Sequence, residues 1–473
     1  VHRRQRQMCI RDRCVGFVLL WRTGRFMTPD STELWFLPLG GCGEIGMNLN
    51  LFGHDGRWLM VDCGVTFEQG VGGNRVQMPN PEFIAEQKDT LVGLIATHAH
   101  QDHIGAIHLL WQQFRCPIYA TRFTAHVVAA KLRREGCHAP ITVVEQDAQI
   151  QLGPFSVRWL PITHSTAETS ALLIETAAGT IFHTADWKVD HQPVVGRAFD
   201  DQSWQNLGSC PIDAIVCDST NATETGHSLS ETDLLPGLHQ AIAEAPKRVV
   251  VACFASNVAR LQTIGNIATA SGRYLATLGR SLNDMVASAK ASGYLLENFD
   301  VIPPHDLGYL PPEEVLILAT GSQGEANAAL NRLAHGTHPE LELEPLDRVI
   351  FSSKTIPGNE SAIRQLTDAL RALDVEVIEG ANSQLPIHAS GHPCVAELQH
   401  MYQWIGSPLA IPVHGEAHHM SANADIAKRC GVAQQLVGRN GDLFRIRPTP
   451  GIYRQAVATG RLELRPNGAL VVV

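Results

Sequence analysis

The run Thr97-His98-Ala99-His100-Gln101-Asp102-His103 constrains this chain more than any other segment. It follows the apolar stretch 91–96, which reads as a buried strand, and precedes a helical pattern over 104–113. Four ligand-type side chains within six consecutive residues converge only if the loop at the strand end turns them inward. In extended backbone His98 and His100 project the same way, because side chains repeat every two residues. Asp102 and His103 lie one step further round the turn, where they can serve a second ion. Imidazole and carboxylate suit zinc or manganese, and two ions about 3.5–4 Å apart can make a nucleophile of water. The loop alone has too few donors for both. Further ligands are expected at later strand ends: His164 in Thr163-His164-Ser165, Asp186 in His183-Thr184-Ala185-Asp186-Trp187, and His414 in Pro412-Val413-His414-Gly415-Glu416. Any one of these alone could be an ordinary structural residue.

Composition narrows the setting. A chain of 473 residues, 44% hydrophobic and 18% charged, is long enough for two or three domains and too apolar to be disordered over most of its length. No stretch approaches the roughly 18 apolar residues that span a bilayer. The net charge of −10 means that binding a phosphate polymer must rest on local cationic groups, and excludes nonspecific DNA coating. Eleven scattered cysteines without a Cys-x-x-Cys pair argue against a disulfide framework and a zinc ribbon. A cytoplasmic setting is expected. Residues 1–26 are Arg-rich and lack the apolar core of a targeting signal, so they read as a non-native leader, with Met27 as the expected start.

The chain changes rhythm along its length. Up to about residue 219, short apolar runs separated by turns predict sheets under outer helices. From Val249 onward strand and helix alternate regularly, with helices expected over 258–271, 282–291, 326–333 and 360–373, which indicates a parallel sheet of βαβ units. Two histidine-bearing segments, 385–393 and 410–419, then return, and the tail is rich in strands. The expected divisions are 27–219 and 376–440 as two parts of one domain, 220–375 as an insertion, and 441–473 as terminal strands of a truncated region.

The His-x-His-x-Asp-His run with a distant His and Asp resembles the metallo-β-lactamase superfamily. The resemblance implies an α/β fold, an αββα sandwich with two divalent metal ions at one edge, zinc first and manganese or magnesium as alternatives. Carried over, one ion is held by His98, His100, His164 and Asp186, and the other by Asp102, His103, Asp186 and His414. Asp62, in Met60-Val61-Asp62-Cys63-Gly64, then orients the metal loop from behind the ligands. The 220–375 stretch resembles a β-CASP insertion, found in nucleic-acid-processing members. Asp218-Ser219-Thr220-Asn221-Ala222, His388-Ala389-Ser390-Gly391-His392 and the run at His414 match that group's three added motifs.

Several phrases resemble the ribonuclease J family in particular: Gly40-Gly41-Cys42-Gly43-Glu44-Ile45-Gly46-Met47-Asn48, Phe254-Ala255-Ser256-Asn257, Ala319-Thr320-Gly321-Ser322-Gln323-Gly324-Glu325 and Ile356-Pro357-Gly358-Asn359-Glu360. Gln101 stands where that family more often has Glu, and Ala167-Glu168 where a Pro-acid pair is common. The family implies RNA as substrate, 5′→3′ exonuclease action favoured by a 5′ monophosphate, and internal cleavage. It also implies a homodimer or tetramer, possible partners in RNA degradation, and a small further C-terminal domain. Asp102, Asp186, Asp218 and His392 are the expected catalytic residues, with His392 kept cationic by Asp218 as proton donor. His388, Ser390 and His392 are expected to grip the scissile phosphate, and Ser322 and Gln323 the terminal one. The competing readings are a DNA-processing β-CASP nuclease and a catalytically silent RNA-binding scaffold.

Overall fold

The computed structural model describes residues 27–70, 73–296, 298–356 and 358–473; the leader reading lies outside the described residues. Two sheets face each other. The first has eight strands, with Leu34–Gly40, Leu49–His54 and Arg57–Val61 antiparallel at its centre and Leu91–Ala96, Ile118–Ala120 and Ile141–Val143 added in parallel. The second has seven, from Gln434–Gln435 through Leu409–Val413, Ala214–Asp218, Thr180–His183, Ser170–Glu175 and Phe155–Pro161 to Gln149–Leu152. Phe36, Phe52, Leu59 and Ile95 of one sheet and Phe155, Trp159, Val216 and Ile411 of the other share a single buried cluster. Each such side chain contributes roughly 1.5–3 kcal/mol on burial, so the interior registers the sheets against each other.

The third sheet lies within 249–378 and is parallel throughout, in the order Val301–Ile302, Tyr274–Leu278, Val315–Ala319, Val249–Ala252, Arg348–Phe351, Glu376–Ile378. Its central strands are buried along their whole length, the pattern of a sheet covered on both faces. Helices Val258–Ser271, Arg280–Ala291, Ala329–Ala334 and Glu360–Arg371 supply the cover. The expected 258–271 helix is found to the residue. Asn257 caps it, its side-chain oxygen accepting from Arg260 N at 2.9 Å, and Gly272 ends it in the left-handed region. A fourth, antiparallel sheet joins the hairpin Thr66–Gly70 and Gly73–Pro79 to Arg461–Leu464 and Leu470–Val472.

The helix expected over 104–113 is broken in two, Gln101–Ile104 and Ile107–Phe114. Between them the amide of Ala106 donates to Cys63 O at 3.0 Å, tying the metal loop to the strand end before it. Gly105 fits there because a Cβ would lie 2.3 Å from Gln101 O.

Candidate metal centre and phosphate site

Sheet direction brings the site residues to one edge. Thr180–His183, Ala214–Asp218 and Leu409–Val413 run parallel as neighbours, and Phe155–Pro161 points the same way through two antiparallel pairings. Their C-terminal ends therefore deliver Asp186, Asp218, His414 and His164 to one rim. Leu91–Ala96 of the facing sheet delivers the 97–103 loop to the same place. Non-glycine residues in left-handed backbone mark the turns: Asp62 (φ 64°), Ala185 (φ 52°) and His414 (φ 52°). Such conformations cost about 1–3 kcal/mol each and persist where the surroundings enforce them. Here they aim donor side chains off the strand ends.

Two donor groups result. His98, His100, His164 and Asp186 form one, and Asp102, His103, Asp186 and His414 the other, with the atoms of each group within 4.8 Å of one another. Asp186 belongs to both. The outer partners decide which nitrogens face inward. Gly391 O can only accept, so His164 Nδ1 donates to it at 2.6 Å. Thr97 Oγ1 sits 3.1 and 2.9 Å from the two Asp62 oxygens and 3.0 Å from His98 Nδ1. Donating to the carboxylate, it accepts from His98. His100 Nε2 faces Ser165 Oγ at 3.3 Å. His98 Nε2 and His164 Nε2 then present lone pairs toward His100 Nδ1 at 3.2 and 3.0 Å. Converging imidazole lone pairs suit a cation. The donor set therefore fits a bound metal.

The second group is more strongly anionic. His103 Nδ1 donates to Asp62 Oδ2 at 2.7 Å, leaving Nε2 3.1 Å from Asp186. His414 Nδ1 donates to Thr220 Oγ1 at 2.7 Å, which passes the bond to Asp218, leaving Nε2 3.1 Å from Asp102. Burial disfavours charge on His414, yet the carboxylates of Asp186, Asp102 and Asp218 overcome it and raise its pKa to about 10. In the first group burial dominates, and His98 and His164 are held well below the ordinary histidine value. One half of the centre offers neutral imidazoles and the other offers carboxylates.

The Asp218 pair stands beside this centre. His392 Nδ1 donates to Asp218 Oδ2 at 2.8 Å, and its ring stacks on His414 with centroids 5.5 Å apart. Burial works against charge on His392, but Asp218 holds its pKa above the ordinary value. His392 also forms a third possible donor group with Asp186, Asp218 and His414. His388 differs: burial and then the Arg260 cation push it down to about 3, so it is neutral, and its Nδ1 has no hydrogen-bond partner among the described residues. Ser390 Oγ accepts from Asn221 Nδ2 at 2.8 Å, which leaves its own hydrogen to give. Gly391 admits no side chain, since a Cβ would meet the His164 ring at 2.6 Å.

Ser322 and Gln323 lie elsewhere, at the C-terminal end of Val315–Ala319. Ser322 lines a cavity of about 210 Å³ with Ser353, Thr355 and Glu379. Both ends of the Gln323 amide are engaged inside the third sheet's loops, its oxygen accepting from Ile356 N at 2.9 Å and its nitrogen donating to Lys354 O at 3.0 Å. Gln323 therefore shapes the loop. Residues to which the sequence reading assigned no role complete the centre: Thr97, Thr220, Asn221, Asn48 and Asn423. Asn48 Nδ2 reaches Asp102 O and His103 Nε2, both at 3.1 Å, and Asn423 Nδ2 donates to Asp218 O at 2.9 Å. Their sequence signal is adjacency to motif residues in four cases and nothing local for Asn423.

Two facing sheets with a His/Asp rim and an inserted parallel sheet define a metallo-β-lactamase superfamily hydrolase with a β-CASP domain. A model of the β-lactamase superfamily domain matches residues 57–252, and one described as the ribonuclease J β-CASP domain matches 246–370. Ribonuclease J of Sinorhizobium meliloti is 40% identical over 438 residues, covering 91% of this chain and 77% of that protein. Ribonuclease J of Mycolicibacterium smegmatis is 38% identical over 411 residues, covering 85% and 73%. A crystal structure of a protein of unknown function from Enterococcus faecalis shares the fold, with a TM-score of 0.60 at 15% identity over 87% of this chain and 100% of that one. The chain belongs to the ribonuclease J family and is a ribonuclease of the metallo-β-lactamase superfamily. No helix among the described residues is long and apolar enough to cross a membrane.

Proposed function

We propose that the protein is a 5′→3′ exoribonuclease favouring 5′-monophosphate ends, with internal cleavage as a second activity, and that it works with two divalent ions, zinc first and manganese or magnesium as alternatives. The observation that carries this reading is the sharing of Asp186 between two donor groups, with the His392–Asp218 pair beside them. Bound there, the ions would supply positive charge against the non-bridging phosphate oxygens and the acidity that makes water a nucleophile at neutral pH. The side chains do the rest. His392, cationic and held through Nδ1 by Asp218, offers Nε2 as the proton donor to the departing 3′ oxygen. The Ser390 hydroxyl offers a hydrogen to the scissile phosphate, with neutral His388 at the start of the same segment. Thr97 and Asp62 hold the rings of His98 and His103 from behind, so that Nε2 of each faces the centre.

Preference for a terminal monophosphate requires a second phosphate site at a set distance. The turn 320–325 supports that reading, because Gly321 (φ 115°) and Gly324 (φ 75°) bend it around the Ser322 hydroxyl, which lines the cavity of about 210 Å³. Assembly into dimers or tetramers belongs to the same proposal, and light scattering reads it directly.

The test follows one RNA carrying a 5′ monophosphate or triphosphate, and its DNA counterpart, with wild-type protein and an Asp102→Ala/His103→Ala variant in Mn²⁺ and in Zn²⁺. The expected result is mononucleotides from the monophosphorylated RNA with wild type alone. Equal cleavage of DNA would favour the DNA-processing reading. Intact RNA with folded, metal-loaded protein would favour the scaffold.

A further inference from the structure

A chain of charged side chains runs through the interior between the metal-ligand strands and the third sheet. Lys188, Asp190, Glu231, Arg260 and Ser352 are each no more than 2% exposed. Lys188 follows Asp186 by two residues and pairs with Thr163, the neighbour of His164, through Lys188 N to Thr163 O at 2.8 Å and Thr163 Oγ1 to Lys188 O at 2.6 Å. Both turns that present those ligands are thereby clamped. Lys188 Nζ pairs with Asp190 at 3.1 Å and donates to Leu229 O at 2.9 Å. Asp190 in turn accepts from Glu231 N at 3.1 Å. The Glu231 carboxylate takes Arg260 Nε and Nη2, both at 3.1 Å, and Arg260 Nη1 reaches across to the carbonyl of Ser352 at 2.8 Å and to its hydroxyl. Ser352 Oγ donates to Ile387 O at 2.6 Å, and His388 is the next residue.

Two cations and two anions lie buried in this chain, so it is neutral overall. Replacing such a network by apolar side chains of equal volume is often neutral or stabilising, so stability alone does not account for it. A guanidinium fork does, however, set direction as well as distance. Arg260 spans the first turn of Val258–Ser271 and the end of Arg348–Phe351, and the last bond of the series lands on the backbone that starts the 388–392 segment. That segment is held on its other side by Asn221 and by His164.

We propose that Glu231, Arg260 and Ser352 are positioning residues for the reaction: they hold the 388–392 segment in register with the Asp186 and His164 turns, and so place His392 against the scissile phosphate. The inference rests on the reading of His392 given above.

The test is a double-mutant cycle with Ser352→Ala and His392→Ala in single-turnover cleavage of a 5′-monophosphorylated RNA, with metal content and melting temperature measured on every variant. Ser352→Ala removes one hydroxyl at the end of the series. It is expected to lower the cleavage rate about tenfold with KM within a factor of about two, the scale of a small misplacement at the reacting atoms. In the His392→Ala background the same change is expected to cost less than about twofold, because the group it positions is gone. Arg260→Lys, which keeps the charge and loses the fork, is expected to lower the rate in the same way with metal content unchanged. Equal cost of Ser352→Ala in both backgrounds would overturn the proposal, as would an unaltered rate in Ser352→Ala and Arg260→Lys at wild-type folded fraction. Failure of the underlying reading looks different: His392→Ala alone would then leave the rate unchanged.

Discussion

The metal edge and the loop end of the third sheet are both built at the C-terminal ends of strands, yet they fill that position with opposite chemistry. At the metal edge seven histidine and aspartate side chains converge, each histidine held by a partner behind its ring. At the third sheet the turn 320–325 is built of glycine backbone around the Ser322 hydroxyl, and Gln323 spends its amide on the loop itself. Holding ions demands lone pairs locked at set angles, whereas reading a phosphate on a moving polymer is served by amides and hydroxyls. The 388–392 segment stands between the two and takes features from each, with His392, its pKa raised by Asp218, at the metal side and neutral His388 toward Arg260.

The comparison can be broken most severely at Asp186. Because it serves both donor groups, Asp186→Ala is expected to lower ribonuclease activity by more than about a thousandfold, several kcal/mol of lost charge stabilisation. Metal analysis should show depletion of both ions, and full activity with one ion retained would end the shared-ligand reading. A smaller loss is expected at His392, where alanine should lower kcat by about 10²–10⁴-fold while metal content stays at the wild-type level. Loss of metal in that variant would instead make His392 a ligand.

Asp62→Asn sharpens the same contrast from behind. It removes the carboxylate that takes Thr97 N, Thr97 Oγ1 and His103 Nδ1, and should weaken metal affinity by about 10–100-fold in a chelator competition. The smallest effect concerns His388. Its folded pKa, about 3, lies below the ordinary 6.5, so protons prefer the unfolded chain. Its contribution to stability is whole above pH 6.5 and is lost as pH falls through that value toward 3. Wild-type melting temperature should therefore drop more steeply across this window than that of His388→Gln; parallel curves would refute the assignment.

Much of the fold was legible because period and punctuation are local. The expected strand at 91–96 is found as Leu91–Ala96, and the helix at 360–373 overlaps Glu360–Arg371. The strand Leu49–His54 was not anticipated, because it is buried on both faces and shows no alternation. The pairing of Arg461–Leu464 with Gly73–Pro79 joins segments nearly the whole chain apart, and no local pattern announces it. At the site, Thr97 and Asn221 stood inside quoted motifs without a task, while Asn423, Glu231 and Arg260 lay outside every cluster of chemistry-bearing residues.

The sequence by itself determined the donor types, their strand-end placement and the two sheet rhythms, since residue identity and alternation follow from covalent order. Tertiary structure alone decided which nitrogen of each histidine faces inward. That choice belongs to the partner behind the ring, and for His164 the partner is Gly391 O, 227 residues away. It also decided the charges. His388 and His392 share one short motif, but only folding sets Arg260 beside the first and Asp218 beside the second, and a histidine's protonation follows the field around it.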